Sequence, residues 1–129
     1  ASRWLIEDCS PGYESPCAII AGGETVVVVK GKGLGGRNQE IALSGAKYLS
    51  GKKNVLLFSI GSDGTDGPTD AAGGIVDGDS MALLEKQDIS IDEVLAQNDS
   101  YHALEKINGL IKTGATGTNV NDVTVLLKR

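Results

Sequence analysis

Positive charge, aromatic residues and long apolar runs are all scarce in this chain of 129 residues. The net charge is −5, and the only clusters of Lys and Arg are Lys30–Lys32 and Lys52–Lys53, so the chain lacks the basic stripe of a nucleic-acid-binding surface. The longest apolar runs, Val26–Val29 and Val55–Phe58, are too short to cross a bilayer, and no signal-peptide pattern begins the sequence. We therefore expect a cytoplasmic protein whose partners include neither a nucleic acid nor a membrane.

Residues for metal or nucleophilic chemistry are equally scarce. Cys9 and Cys17 have no second pair with which to bind zinc, and we expect two free thiols, although a disulfide between them is geometrically possible. His102, the single histidine, falls within a predicted helix and has no acid at the spacing of a catalytic triad. The phosphate-binding motif G-x-x-x-x-G-K-[ST] is also absent.

Glycine is the abundant residue, with 18 in the chain. The glycines follow no three-residue period and stand between strongly apolar runs, which excludes collagen and disfavours disorder. With 40% hydrophobic and 22% charged residues, the composition is that of one globular domain. Clustered glycines in such a domain mark sharp turns and places where the backbone approaches a ligand.

The apolar pattern predicts one α/β domain over residues 18–129, preceded by an irregular or short-helical lead-in over residues 1–17. Two apolar runs, Ala18–Ala21 and Thr25–Lys30, are joined by Gly22–Gly23. Two runs connected this tightly are typical of an antiparallel hairpin.

The following segments predict helices around a central strand. Apolar residues of Asn38–Leu49 fall on one stripe of a helix, and the unalternating run Asn54–Ile60 is typical of a strand covered on both faces. Further helices are predicted over about 79–86, from the capping box at Ser90, and over about 100–108, before a last strand at Val123–Leu127. The predicted fold class is a three-layer α/β/α arrangement with a mixed sheet.

The first loop that could bind a ligand, residues 31–38, lies between a predicted strand and a predicted helix. It contains G-x-G-x-x-G at Gly31, Gly33 and Gly36. Residues without Cβ let backbone N–H groups reach an anion, and the helix N-terminus adds partial positive charge. Arg37 adds a full charge and a planar fork that suits a carboxylate or a phosphate. Anion binding is the prediction, and a tight turn without a ligand is the alternative.

The same motif occurs in dinucleotide-binding folds, but the rest of that pattern does not follow. The glycines come after the second strand of a predicted hairpin instead of opening a βαβ unit. The acid that would bind a ribose is expected about 20 residues further on, and Asp63 is farther from Gly36 than that. A nicotinamide site is therefore a poor fit to this loop.

Two further loops are rich in polar residues. Residues 61–70 follow the predicted central strand at its carboxyl end, where open α/β sheets bind ligands. This loop carries Asp63, Asp66 and Asp70, which are unfavourable so close together unless cations, a metal or N–H groups pair with them. Residues 113–122 offer hydroxyls and amides that suit an oxygen-rich ligand. Surface turns are the alternative for both loops.

Three motifs in chain order resemble one family: GGRNQE at Gly35–Glu40, GTDGPTDAAGG at Gly64–Gly74 and TGATGTNVND at Thr113–Asp122. They are similar to the MOFRL domain, the C-terminal domain of the glycerate 2-kinases, some of whose members are named hydroxypyruvate reductase. The resemblance covers about residues 18–128. Ala115 departs from it, because the family usually has proline at that position.

The resemblance implies a two-domain enzyme that transfers the γ-phosphoryl group of ATP to the 2-hydroxyl of D-glycerate and forms 2-phosphoglycerate. A larger N-terminal nucleotide-binding domain would supply most of the nucleotide site and a catalytic lysine, and Mg²⁺ would accompany ATP. This chain would close the cleft, so its expected partners are that domain and a small hydroxy acid. Alone it is expected to be inactive and to hold no cofactor tightly, because phosphoryl transfer needs both walls of the cleft.

Phosphoryl transfer depends on positioning and on charge neutralisation, which suggests roles for the polar residues of the three loops. Arg37 and Asp66 are predicted to be catalytic, with Arg37 on the glycerate carboxylate or the transferring phosphoryl group. Asp63, Asp66 and Asp70 would orient hydroxyls or hold Mg²⁺ through water. The other predicted binding residues are Gly33, Gly35, Gly36, Asn38, Asn119 and Asp122.

Two alternatives remain open for the function of the chain. A hydroxypyruvate reductase of the same family would transfer a hydride from NAD(P)H instead of a phosphoryl group. A non-catalytic module would bind a hydroxy acid or another small anion, or would dock on another protein.

Overall fold

The computed structural model describes residues 1–129 and consists of one β-sheet with helices packed against it. The strands are β1 (Cys17–Gly23), β2 (Val55–Gly61), β3 (Gly73–Asp77), β4 (Leu110–Ile111) and β5 (Asp122–Lys128). The helices are α1 (Arg37–Leu49), α2 (Ser80–Glu85), α3 (Ile91–Ala96) and α4 (Ser100–Lys106), preceded by helical turns at Trp4–Cys9 and Ser10–Gly12. None of the helices combines the length and the apolar character needed to span a bilayer.

The sheet has five strands in the order β1-β5-β2-β3-β4, and every neighbouring pair is antiparallel. The predicted α/β class and the predicted central strand are confirmed, since β2 lies in the middle of the sheet. The expectation of a mixed sheet is wrong. An unalternating apolar strand indicates burial on its two faces, but it carries no information about the direction of its neighbours.

Helix α1 packs against β2 and β3, and the other helices pack against α1 on the same side of the sheet. The hydrophobic core lies between α1 and this face of the sheet. Residues 1–129 thus form two of the three predicted layers, which are the sheet and the helices on one side of it. Its largest buried apolar side chains are Leu5, Leu43, Leu49, Leu57, Leu84, Leu104 and Leu126. Leu5 belongs to the predicted lead-in, which folds into short helical turns and joins the core. Cys9 and Cys17 are free thiols.

The predicted helices agree with the structure in type and nearly in extent. Helix α1 ends before Gly51, whose φ of +79° is a left-handed conformation that glycine adopts without strain. The side chain of Ser90 accepts a hydrogen bond from the backbone N–H of Glu93 at the start of α3, as the capping box predicts.

Strands β3 and β4 were not predicted, because glycine hides the pattern of β3 and β4 has only two residues. Gly73 lies so close to β2 that a Cβ would overlap the carbonyl oxygen of Ser59. Gly74 faces Leu104 and Ala42, so a side chain there would collide with the core. Glycine in this strand therefore permits close packing, whereas glycine in an isolated sequence reads as a loop.

The predicted hairpin is wrong. Strand β1 pairs with β5, and Thr25–Lys30 leaves the sheet as an extended segment without a strand partner. Val26 and Val28 on this segment are 90% and 68% exposed. The backbone hydrogen bonds of this segment go to the side chains of Asp122 and Asn98 instead of a neighbouring strand.

Asn98 holds this extended segment in place. Its Oδ1 accepts hydrogen bonds from the backbone N–H groups of Lys30 (2.7 Å) and Gly31 (2.9 Å). Its Nδ2 donates to the carbonyl of Val28 (3.3 Å) and to Oε1 of Glu40 (2.6 Å). Asn98 is buried and thus uses its full amide capacity to tie the extended segment to α1.

We expect Asn98→Ala to destabilise the fold by about 2–4 kcal/mol, because the four hydrogen bonds made by the buried Asn98 amide are lost together. Asn108→Ala is the matched control: both asparagines have a φ of 55°, but Asn108 is exposed and makes no side-chain hydrogen bond. The control should therefore cost only about 1 kcal/mol of backbone strain. Denaturant unfolding of the two variants measures the difference, and equal losses would contradict a clamp by the Asn98 side chain.

Candidate functional site

The three polar loops predicted to form a site converge at one end of the sheet, where β2 ends and β5 begins. The backbone N–H of Ser62 donates to the carbonyl of Asn121 (3.1 Å), and Ser62 Oγ accepts from the N–H of Val120 (2.7 Å). The first and second loops touch at Gly67, where a Cβ would overlap the carbonyl oxygen of Gly35. The predicted convergence of the three loops is confirmed.

Asp66 occupies the N-terminus of α1. Its Oδ1 accepts a hydrogen bond from the backbone N–H of Asn38 (3.0 Å), and its Oδ2 accepts one from the N–H of Gln39 (2.8 Å). Because the first N–H groups of a helix lack partners within the helix, a carboxylate placed there satisfies them and interacts favourably with the helix dipole. Asp66 is completely buried. The anion predicted at this helix N-terminus is therefore supplied by the chain itself.

Asp122 holds Arg37 in a two-pronged ion pair. Nη2 of Arg37 donates to Oδ1 of Asp122 at 2.8 Å, and Nε donates to Oδ2. Asn38 Nδ2 (3.1 Å) and Thr25 Oγ1 (3.0 Å) also donate to this carboxylate. Burial alone would raise the pKa of Asp122, but the hydrogen bonds from Arg37, Asn38 and Thr25 outweigh it and lower the pKa to about 2. Asp122 is thus ionised at neutral pH and fixes the orientation of the guanidinium.

The buried polar network extends from Asn38 into the sheet. Asn38 Oδ1 accepts a hydrogen bond from Ser59 Oγ (2.7 Å), and Ser59 Oγ lies 2.8 Å from Thr124 Oγ1 on the neighbouring strand. Asn38, Ser59 and Thr124 are all buried. Asn38 was predicted to bind substrate, but the contacts of its side chain join α1 to β2 and β5.

The glycine-rich loop packs against the connection between α3 and α4. A Cβ at Gly31 would overlap the backbone of Gln97, and one at Gly33 would overlap Asp99. The N–H of Gly33 donates to the carbonyl of Gln97 (2.8 Å), and the N–H of Leu34 donates to Oδ1 of Asp99 (2.9 Å).

The last two glycines of the motif are equally confined. A Cβ at Gly35 would overlap Ser100 Oγ, and a Cβ at Gly36 would overlap Asp66. These glycines permit close approach of protein to protein, a use that the spacing of the motif does not distinguish from a phosphate cradle or a tight turn. Phosphate binding by Gly33, Gly35 and Gly36 stays a prediction.

Arg37 is the predicted site residue with free donors at an open surface. The pair with Asp122 leaves Nη1 without a hydrogen bond, and 37% of the side chain is exposed. Arg37 borders a cleft of about 430 Å³, a volume typical of small-molecule sites. The other polar side chains that line the cleft are Ser2, Thr25, Glu40 and Ser44.

Glu40 gives the cleft a half-buried acid three residues from Arg37. Burial raises the pKa of Glu40, although the hydrogen bond from Asn98 opposes this shift. The cleft therefore combines a cation at its rim with a carboxyl group that is held by the same asparagine that positions the extended segment.

The other acids of the second loop lie at the surface and are engaged locally. Asp63 accepts hydrogen bonds from the N–H and hydroxyl of Thr65 (both 3.0 Å), which lower its pKa. Asp70 accepts one from the hydroxyl of Tyr101 (2.7 Å) and lies 3.3 Å from the ammonium of Lys112. The Tyr101 hydroxyl and Lys112 lower the pKa of Asp70.

Asn119 and the three acids do not assemble a metal site. Asn119 Oδ1 accepts from the N–H of Asn121 (3.0 Å) within its own loop. The chain contains no group of three or more His, Cys, Asp or Glu side chains arranged to hold a metal ion. Asp63, Asp66 and Asp70 point to three different sets of partners, so the metal site suggested by their spacing is not built by these side chains together.

Several residues that shape the site were missed by sequence reasoning. Thr25 contacts Asp122, Glu40 lines the cleft, and Asn98 clamps the segment between them. Glu40 lies in the first turn of α1, where an acid is expected from the helix dipole alone. Asn98 lies 58 residues from Glu40, and no local pattern connects residues so far apart. An asparagine followed by Asp-Ser before a helical stretch is the one available signal of a structured turn.

The low pKa of Asp122 predicts a loss of stability in acid. A folded-state pKa of about 2, below the ordinary 3.8, stabilises the fold at pH values above the ordinary pKa, and this contribution is lost as the pH falls toward 2. Between pH 5 and pH 2 the free energy of unfolding of the unmodified chain should fall by about 2 kcal/mol more than that of the Asp122→Asn variant. Urea unfolding at both pH values measures this difference. Glu85→Gln, which removes an exposed carboxylate, should behave as the unmodified chain does, and parallel losses in all three proteins would contradict the assignment.

Comparisons with known proteins place the chain in the family that the three loops resemble. The MOFRL family profile matches residues 17–122. A D-glycerate 2-kinase of Thermotoga maritima is 57% identical over 112 residues, which are 87% of this chain and 27% of that protein. The crystal structure of a glycerate kinase from Thermotoga maritima superposes with a TM-score of 0.90 at 52% identity, over 99% of this chain and 31% of the other.

A third relative bears a different name. A protein of Agrobacterium vitis named as a hydroxypyruvate reductase is 42% identical over 114 residues, covering 87% of this chain and 30% of its own length. The chain thus spans about a quarter to a third of the relatives that it matches. The profile match over most of the chain, together with three converging loops of the expected sequence, establishes that the chain belongs to the MOFRL family.

Proposed function

We propose that this chain is the C-terminal domain of a glycerate 2-kinase and forms one wall of the cleft in which ATP phosphorylates D-glycerate to 2-phosphoglycerate. Glycerate kinases among the relatives, and the share of their length that the chain covers, support this assignment. The observation that carries it is Arg37, a guanidinium fixed by a buried carboxylate with free N–H groups at the rim of a small cleft. The proposed ligand of those N–H groups is the carboxylate of glycerate or the phosphoryl group in transfer.

The fixed orientation of Arg37 is what suits it to this role. A guanidinium binds carboxylates and phosphates through parallel N–H donors, so its plane must be set before the substrate arrives. Two of the donors of Arg37 hold Asp122, which leaves Nη1 and the second N–H of Nη2 for the substrate. Donors that need no reorganisation stabilise charge developing in a transition state more than mobile ones do. Arg37 is the catalytic residue of the proposal.

Asp122 and Asp66 enter the proposal as positioning residues. Asp122 sets the plane of the Arg37 guanidinium, and Asp66 anchors the first turn of α1, from which Arg37 projects. Asp63, Asp70 and Asn119 lie at the exposed edge of the same loops, where they would meet the hydroxyl groups of a substrate or the opposite wall of the cleft.

Apart from the donors of Arg37 proposed for the transferring phosphoryl group, this chain offers few free groups for the rest of ATP. The N–H groups at the start of α1 are bound to Asp66, the glycine-rich loop is packed against protein, and no three acids are grouped to hold a metal ion. We therefore assign the nucleotide and its metal to the N-terminal nucleotide-binding domain of the enzyme. The contribution of this chain is to bind and orient the acceptor and to neutralise charge on its side of the cleft.

Arg37→Lys in the complete enzyme should lower kcat/KM for glycerate by more than tenfold, equivalent to about 1.4 kcal/mol. Lysine keeps the positive charge beside Asp122 but lacks the planar set of donors. A loss carried by KM would place Arg37 on the substrate carboxylate, and a loss carried by kcat would place it on the transferring group. Lys32→Ala, which removes an exposed cation of the same loop, should change kcat/KM by less than twofold. Less than a tenfold loss in a folded Arg37→Lys enzyme would exclude the role.

A second function, hydroxypyruvate reduction with NAD(P)H, is favoured by the name of the Agrobacterium vitis relative. The glycine-rich loop is packed against other segments of the protein, which leaves no space beside it for a dinucleotide. A non-catalytic module that binds a small anion would also use Arg37, but it would require no second wall.

Nucleotide titration of the complete protein distinguishes these functions. A kinase should bind ATP with Mg²⁺ saturably and should not bind NADPH, whereas a reductase should show the reverse preference. Isothermal titration calorimetry with each nucleotide measures the binding. An assay for ATP-dependent phosphorylation of glycerate checks that the bound nucleotide is used. Saturable NADPH binding without ATP binding would overturn the kinase assignment, and binding of neither nucleotide would favour the non-catalytic module.

A further inference from the structure

The face of the sheet that points away from α1 is apolar and carries no helix of this chain. Directly paired residues on neighbouring strands share a face, and Leu57, Leu126 and Ile19 pair on the side of the core. The residues between them in sequence therefore point to the other side. We call this side the open face; it includes Ile20, Leu56, Phe58, Ile60, Val125 and Leu127.

These side chains lie outside the core between the sheet and α1, although Val125 is buried and Leu56, Phe58 and Ile60 are half-buried within the face itself. None of them belongs to the core cluster or to the partly buried residues packed against it. Ile20 is 69% exposed and Leu127 is 37% exposed. A contiguous apolar surface made by three adjacent strands is unusual on a protein that is free in water, and such surfaces mark sites of contact.

The open face continues into a groove at the end of the sheet opposite to Arg37. The groove has a volume of about 840 Å³ and is lined by Ala18, Leu56 and Leu127 from the sheet. Lys52, Lys53 and Arg129 also line it, and none of these cations forms a salt bridge within the chain. Asp77 and Asp79 are the acids that line the groove. An excess of unpaired cations in a chain of net charge −5 favours an acidic partner.

We propose that the open face is covered by an amphipathic α-helical segment of the same polypeptide, outside these 129 residues, with acidic side chains directed at Lys52 and Lys53. The open face has no layer packed on it within these residues, and amphipathic helices are the elements that already cover the opposite face of the same sheet. The length of the relatives supports an occupant in the same polypeptide. Relatives that share this domain are more than three times as long as the part that matches this chain. The surface is distinct from the Arg37 cleft, and the proposal rests on the proposed function only in requiring a longer polypeptide.

Thiol labelling of the complete polypeptide tests the cover. Two single-cysteine proteins, Ile20→Cys and Leu83→Cys, are prepared in a Cys9→Ser, Cys17→Ser background. Leu83 lies on α2, on the helical side, and is 43% exposed, less than Ile20 in the uncovered sheet. A covered open face should reverse this order, with maleimide labelling of Ile20→Cys at least tenfold slower than labelling of Leu83→Cys. Faster labelling of Ile20→Cys would overturn the proposal.

Zero-length carbodiimide cross-linking of the unmodified polypeptide tests the chemistry of the occupant independently. Mass spectrometry should find Lys52 or Lys53 joined to Asp or Glu outside the 129 residues, in protein of monomer mass, and Lys52→Gln/Lys53→Gln should lose these products. Lys86, an exposed lysine at the end of α2, is the control and should give no such cross-link.

Other results would replace the proposed occupant. Cross-links found only in dimers, or protection of Ile20→Cys that disappears on dilution, would assign the open face to a second copy of the chain. A gene product without additional residues would also overturn the proposal.

Discussion

Two buried carboxylates at the N-terminus of α1 impose the constraint around which this end of the molecule is built. A buried charge is unfavourable unless cations or hydrogen-bond donors surround it. Asp66 meets this requirement with the backbone of Asn38 and Gln39, and Asp122 meets it with Arg37, Asn38 and Thr25. Because these partners come from distant parts of the chain, satisfying the two charges also fixes where the loops meet.

The same constraint explains why the site has one prominent cation. Most polar groups of the three loops are used to hold the loops together, and Arg37 is held by one side of its guanidinium only. The orientation of the Arg37 guanidinium is set by its two hydrogen bonds to the buried Asp122, so its free donors are directed by the fold itself. The cleft beside it is small and partly polar.

The glycine-rich loop illustrates how one sequence pattern serves different physical needs. Residues without Cβ allow a backbone to approach a phosphate, and they allow it equally to approach another backbone. At Gly31 and Gly33 the neighbour is the connection between α3 and α4, and at Gly36 it is Asp66. What distinguishes the two uses is whether another segment of the protein lies against the loop. The spacing of the glycines does not reveal where that segment lies.

Local sequence patterns were enough to predict α1 to α4 and the central strand, and the order of three motifs was enough to identify the MOFRL family. These features depend on local periodicity, capping and composition, which are written in neighbouring residues. Three features emerged only from the folded chain: β1 pairs with β5, Asp66 binds the N-terminus of α1, and Asn98 clamps the segment predicted as a strand. Each of these depends on partners more than 25 residues apart, and a local pattern can indicate that a group needs a partner but not which distant residue supplies it.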